Sequence, residues 1–129
     1  MNLFQLGDFK LSSGAQSGWK IDCDALTSED LAALALMGSK LLPPFGWPVG
    51  IPRGGLLLAE EMSRYCTIGE TPLIVDDVLT SGGSMEREKT RVWATTAVQP
   101  LGLVIFARGP CPAWVKAIFQ LPEPLWVKP

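Results

Sequence analysis

Two short apolar runs lead through glycine-rich turns into helically spaced segments, and this repeated unit organises the chain. Residues 73–75, Leu-Ile-Val, are apolar, largely β-branched and bounded by turn residues, the pattern of a strand buried on both faces. Residues 47–51 predict a shorter strand, residues 101–107 (LGLVIFA) a longer one, and residues 125–128 an edge strand. Thr27-Ser28-Glu29-Asp30 supplies an N-cap hydroxyl and early acids ahead of Leu31, Leu34, Ala35, Met37 and Leu41, so a helix is expected over residues 28–41. Pro43 and Pro44 end it. Residues 56–65 read as an amphipathic helix, and another begins near Ser84 and runs towards Ala97. Strand, glycine turn and helix in that order, used twice, imply an α/β fold of three layers, with a mainly parallel sheet flanked by helices. Residues 9–22 mix turn formers with isolated large apolar positions and predict a loop ending in a short strand at 19–21.

At 129 residues, 47% of them hydrophobic, the chain fits one domain spanning residues 1–129 with a substantial core. A net charge of −2 and a pI near 5.0 argue against the broad cationic surface that a nucleic-acid partner requires. Cys23, Cys66 and Cys111 are odd in number and far apart, which suggests neither a disulfide framework nor a zinc site. They read as reduced thiols. No basic flank precedes an apolar stretch at the amino terminus, and no apolar run reaches membrane-spanning length. A cytoplasmic protein with no membrane partner is expected. Histidine is absent, so any proton transfer falls to carboxylates, Lys, Tyr or the substrate.

The chemistry concentrates in residues 72–86, PLIVDDVLTSGGSME. Asp76 and Asp77 follow the apolar run at its carboxyl end, where open parallel sheets bind ligands. They can accept hydrogen bonds from a sugar diol or help to hold a hydrated Mg²⁺. Thr80, Ser81, Gly82, Gly83 and Ser84 can gather backbone N–H groups and hydroxyls around an anion, aided by the helix N-terminus that follows. Residues Ile51, Pro52, Arg53, Gly54 and Gly55 form a second strand-to-helix turn, in which the planar fork of Arg53 suits a diphosphate.

The stretch around Asp76 resembles the phosphoribosyl-pyrophosphate (PRPP) signature of type I phosphoribosyltransferases. The resemblance implies that Asp76 and Asp77 bind the ribose hydroxyls and, through these or through water, Mg²⁺. It further implies that Val78 and Leu79 belong to the PRPP site, that Thr80 to Ser84 bind the 5′-phosphate and that Ile51 to Gly55 hold the pyrophosphate, with Asp76, Asp77 and Arg53 as the catalytic set. Members of that family often carry a cis peptide in the pyrophosphate turn, which is expected here at Ile51-Pro52. Residues 9–22, FKLSSGAQSGWKID, look like the amino-terminal segment of orotate phosphoribosyltransferases through Phe9, Leu11, Ser13, Gly14, Ser17, Trp19 and Asp22. In those enzymes it is part of a hood over the base, here residues 1–26, which makes Ser12, Ser13, Trp19 and Lys20 base-side candidates. Trp19 packed in a small core is the competing reading. Arg108, after the 101–107 strand, is a candidate contact to base or phosphate, against a capped surface turn.

The implied activity is transfer of ribose 5-phosphate from PRPP to a nucleobase, a pyrimidine such as orotate, with release of pyrophosphate. The implied partners are PRPP and a nucleobase or nucleoside monophosphate, and a second copy in a homodimer. Two departures stand out. Some members carry Lys where this chain has Ser12, and orotate enzymes place a further strand and a mobile basic loop where this chain has only residues 64–71, without Lys or His. A PRPP- or nucleotide-binding protein of the same fold, without turnover, is the alternative. A receiver domain is disfavoured because no Asp follows Asp77, and a Walker-type hydrolase because neither turn ends in Gly-Lys-Ser/Thr.

Overall fold

The computed structural model describes residues 2–11, 14 and 16–121. An amino-terminal hairpin pairs β1 (Phe4–Lys10) with β2 (Gln16–Ile21) antiparallel, with Phe4 opposite Ile21. A 3₁₀ turn over Cys23–Ala25 leads into α1 (Ser28–Leu41). Then follow β3 (Pro48–Gly50), α2 (Leu56–Met62), β4 (Leu73–Leu79), α3 (Gly83–Thr96), β5 (Leu101–Ala107) and β6 (Val115–Gln120). The last four strands form one parallel sheet in the order β3-β4-β5-β6.

The predicted helix over residues 28–41 is present with those limits, and its start has a local cause. Thr27 Oγ1 accepts from the Asp30 N–H, while Asp30 Oδ2 accepts from the Thr27 N–H, a reciprocal cap that satisfies two otherwise orphaned donors. The helix predicted over 56–65 is α-helical only to Met62 and finishes as a 3₁₀ turn over Ser63–Tyr65. The strand expected at 47–51 is β3, and that at 101–107 is β5. The strand expected at 125–128 lies outside the described residues.

The strand carrying the acids is longer than its apolar run. It continues through Asp76 and Asp77 to Leu79, because β5 stays beside it as far as Ala107 whereas β3 ends at Gly50, opposite Val75. β1 and β6 were not expected. Polar and glycine positions interrupt β1, and β6 is a mixed strand (VKAIFQ) at the sheet's edge, so neither shows the apolar run of a central strand.

Side-chain alternation along the sheet builds the three layers. Leu73, Val75, Leu103 and Ile105 pack against Leu34 and Ala35 of α1 and Leu58, Ala59 and Met62 of α2. On the other face Ile74 and Val104 meet Met85 and Val92 of α3. Beyond the acid pair the alternation slips by one position: Val78 and Phe106 join the α1 side, and Leu79 and Ala107 the α3 side. No helix among the described residues is long and apolar enough to cross a membrane.

Candidate functional site

The site grows from the place where β3 stops and β4 continues. There the Ile51 N–H donates to the Val75 carbonyl at 2.8 Å, and the chain folds back so that the Gly55 N–H donates to the Ile51 carbonyl at 2.9 Å. The 51–55 turn thereby replaces β3 as the neighbour of the acid pair. Contact is close enough to exclude side chains: a Cβ on Gly54 would lie 2.1 Å from Asp77 Oδ2, and one on Gly55 2.2 Å from the Val75 carbonyl oxygen. The cis peptide of this turn is Pro52-Arg53, one bond later than expected.

Asp76 is 8% exposed, and its Oδ1 accepts from the Asp77 N–H at 2.8 Å; Asp77 Oδ1 in turn accepts from the Val78 N–H at 2.7 Å. Burial first, then hydrogen bonding to the Asp77 side chain and its charge, raise the Asp76 carboxyl to about 7. The turn after β2 adds to the negative potential. Cys23, half-buried there, is pushed up to about 12 by burial and then by the charges of Asp77, Asp22, Asp24 and Asp76. Arg53 reaches this group through Asp24, with Nη2 3.4 Å from Asp24 Oδ2 in a solvent-exposed pair.

After Leu79 the chain turns through Thr80, Ser81 and Gly82. Gly82 has φ 86°, a conformation that favours glycine, and it precedes α3 without a side-chain cap. The first-turn N–H groups and the positive end of the helix dipole are thus presented beside the loop hydroxyls. Ser81 Oγ accepts from the Gly83 N–H at 3.3 Å. Arg87 donates to Ser84 Oγ at 3.2 Å, which brings a guanidinium to the loop. By charge pattern alone Glu86, Arg87, Glu88 and Lys89 read as a solvated helix face; the spacing of three between Ser84 and Arg87 on one helix is the signal that places Arg87 here.

The turn after β5 closes the other side. The Arg108 N–H donates to the Leu79 carbonyl at 2.8 Å, and Gly109 lies so near Thr80 that a Cβ would be 2.7 Å from its carbonyl oxygen. Arg108 is not on a surface turn. It is 5% exposed and reaches the hairpin, with its Cζ 3.6 Å from the centroid of the Trp19 ring; loss of hydration lowers its pKa.

The structure therefore brings Ile51 to Gly55, Asp76, Asp77, Thr80 to Ser84, Arg108 and Trp19 to one edge of the sheet. Leu79 contributes only backbone, because its side chain is 2% exposed in the α3-side core. Lys20 places its Nζ over Phe9, 4.9 Å from the ring centroid. Ser12 and Ser13 lie outside the described residues.

Nothing long spans the gap between α2 and β4. Residues 66–72 are held to the start of β3, with the Thr67 N–H donating to the Phe45 carbonyl at 2.7 Å and the Gly46 N–H to the Thr71 carbonyl at 2.6 Å. Ile68 in this segment is wholly exposed.

No family model and no curated protein matches this sequence. Solved structures do match in shape. The orotate phosphoribosyltransferase of Aeropyrum pernix aligns with a TM-score of 0.67 at 20% identity, over 92% of this chain and 88% of that one. The UMP synthase of Leishmania donovani aligns with a TM-score of 0.74 at 20% identity, over 96% of this chain but only 35% of that one. The orotate phosphoribosyltransferase of Mycobacterium tuberculosis H37Rv, solved with inorganic phosphate, aligns with a TM-score of 0.61 at 17% identity, over 89% of this chain and 86% of that one. With its parallel sheet, flanking helices and amino-terminal hairpin, the chain has the fold of the type I phosphoribosyltransferases, orotate phosphoribosyltransferases among them.

Proposed function

We propose that the chain is a phosphoribosyltransferase that moves ribose 5-phosphate from PRPP to a nucleobase, a pyrimidine such as orotate, and releases pyrophosphate. The observation that carries this reading is the contact of Gly54 with Asp77, which sets a diphosphate-type turn against an acid pair whose strand runs on into an anion-type loop. Asp76 and Asp77 accept hydrogen bonds from the ribose hydroxyls. Thr80 to Ser84, the α3 N-terminus and Arg87 hold the 5′-phosphate, and Ile51 to Gly55 with Arg53 hold the diphosphate. The C1–O bond to pyrophosphate breaks with its electron pair leaving on oxygen, and a base nitrogen donates the pair that forms the new C1–N bond. The protein contributes alignment and electrostatics, which need no histidine.

Mg²⁺ fits this site. Four aspartates lie around Cys23, and a polyphosphate beside them requires a neutralising cation. Among the described residues no three acidic, Cys or His side chains form a cage. Asp76 and Asp77, through water or ribose hydroxyls, would hold the ion together with ligand oxygens, as Mg²⁺ prefers. When bound it supplies charge neutralisation at the departing pyrophosphate.

On the base side this reading uses Trp19, Lys20 and Arg108 with Ser12 and Ser13. A cytoplasmic homodimer accords with it, exposed Trp47, Leu56 and Leu57 being apolar area for a second copy. A second reading, PRPP or nucleotide binding without turnover, is favoured by the short 66–72 connection, which offers no Lys or His to shield the reaction. One assay separates the two. With Mg²⁺, PRPP and orotate, pyrophosphate release supports the enzyme; saturable PRPP binding without release, for every base tried, leaves the binding protein; no binding refutes both.

A further inference from the structure

Arg108 is the most deeply buried charged side chain among the described residues, and no described carboxylate pairs with it. Its Nη1 donates to the Trp19 carbonyl at 3.2 Å and its Nη2 to Ser17 Oγ at 2.9 Å, while its Nε is buried without a hydrogen-bond partner. Ser17 Oγ also donates to the Trp19 carbonyl at 2.6 Å and accepts from the Trp19 N–H at 3.2 Å. One guanidinium thus grips a short β2 segment by its backbone, a hydroxyl and the face of an indole. The other end of the residue is tied to the root of the Thr80 loop through Leu79.

Burying a guanidinium against neutral partners alone is unfavourable. The rest of the hairpin is thinly covered: Leu6 is 90% and Phe4 53% exposed, Phe4 meets Phe106 edge to face, and Ile21 at its end packs against the α1-side core. A cation–π contact removed from water is among the stronger non-covalent contacts available to such an element.

We infer that Arg108 is a positioning residue, a latch that fastens the amino-terminal hairpin to the carboxyl edge of the sheet and sets the wall facing a nucleobase. The latch itself is independent of ligand; its consequence for the base rests on the proposed function.

Hydrogen–deuterium exchange on the full-length, ligand-free chain tests it, comparing residues 4–10 and 16–21 with residues 73–79 and 101–107. Arg108→Ala is expected to speed hairpin exchange about tenfold and Ser17→Ala about threefold, with the sheet strands unchanged. Arg108→Lys, which keeps a cation over Trp19 but loses the fork, falls between wild type and Arg108→Ala. Hairpin exchange equal to wild type in Ser17→Ala and Arg108→Lys, or acceleration spread evenly over the sheet, overturns the latch. Should Arg108→Ala not fold, these two milder variants decide by the same criteria. Calorimetry then compares uridine 5′-monophosphate with ribose 5-phosphate. Ser17→Ala is expected to weaken the nucleotide severalfold and leave ribose 5-phosphate unchanged, whereas equal loss of both overturns the positioning role. If neither ligand binds wild type, the proposed function fails, and exchange alone decides the latch.

Discussion

Replacing Asp76 by Asn is expected to stabilise the protein at neutral pH while weakening the proposed binding of PRPP. The carboxyl titrates near 7 in the folded chain against 3.8 for a free aspartate. A raised acid binds its proton more tightly in the folded than in the unfolded state. Its contribution to stability is therefore complete below pH 4 and is lost as pH rises through 7. The difference is about three pH units, so ionised Asp76 costs on the order of 4 kcal/mol at pH 8. Asparagine has the same shape, keeps an oxygen to accept from the Asp77 N–H, and never ionises. Urea denaturation from pH 4 to 8 is the assay. Wild-type stability should fall across this range by about 2–4 kcal/mol more than that of Asp76→Asn. The two proteins should be nearly equal at pH 4, and the variant more stable at pH 8. An equally steep fall in the variant, or a variant less stable at pH 8, would refute the argument. On the proposed function, Mg²⁺ and PRPP at the acid pair would favour its ionised form, so wild-type PRPP affinity should rise from pH 6 to 8 with proton release, and this pH dependence should vanish in the variant.

Asp24→Asn frees Arg53 from an exposed pair and should raise pyrophosphate affinity about two- to fivefold, with stability changed by less than about 1 kcal/mol; isothermal titration checks both sign and size. Arg87→Ala removes the guanidinium at Ser84 and should weaken ribose 5-phosphate about tenfold without lowering the melting temperature, as a charge-assisted hydrogen bond of about 1.5 kcal/mol requires. Gly54→Ala places a methyl 2.1 Å from Asp77 Oδ2. It should cost about 1–3 kcal/mol in chemical denaturation and abolish PRPP-induced thermal stabilisation, because the turn must retreat from the acid pair.

Part of the site was legible before any coordinates. The two glycine turns, the acid pair and the helix caps are local features, set by residues within a few positions of one another, so their spacing reports them directly. Arg87 and Arg108 show where legibility ended. Arg87 stands among alternating charges and looks solvated until its helix is seen to start in the anion loop. Arg108 follows a strand and reads as a surface turn until the hairpin, more than eighty residues earlier, closes over it. The length of β4 belongs with these. No local signal carries a strand through two aspartates, and the strand persists because β5 continues to pair with it.

The sequence by itself determined the order of the three helices and of the central strands β3, β4 and β5, the three-layer class and the chemistry of each turn, since apolar periodicity and capping act over a turn or two of chain. Tertiary structure decided which turns meet, which acid loses its water and what a buried arginine holds. Those outcomes depend on long-range packing and desolvation, which the identity of neighbouring residues along the chain does not encode.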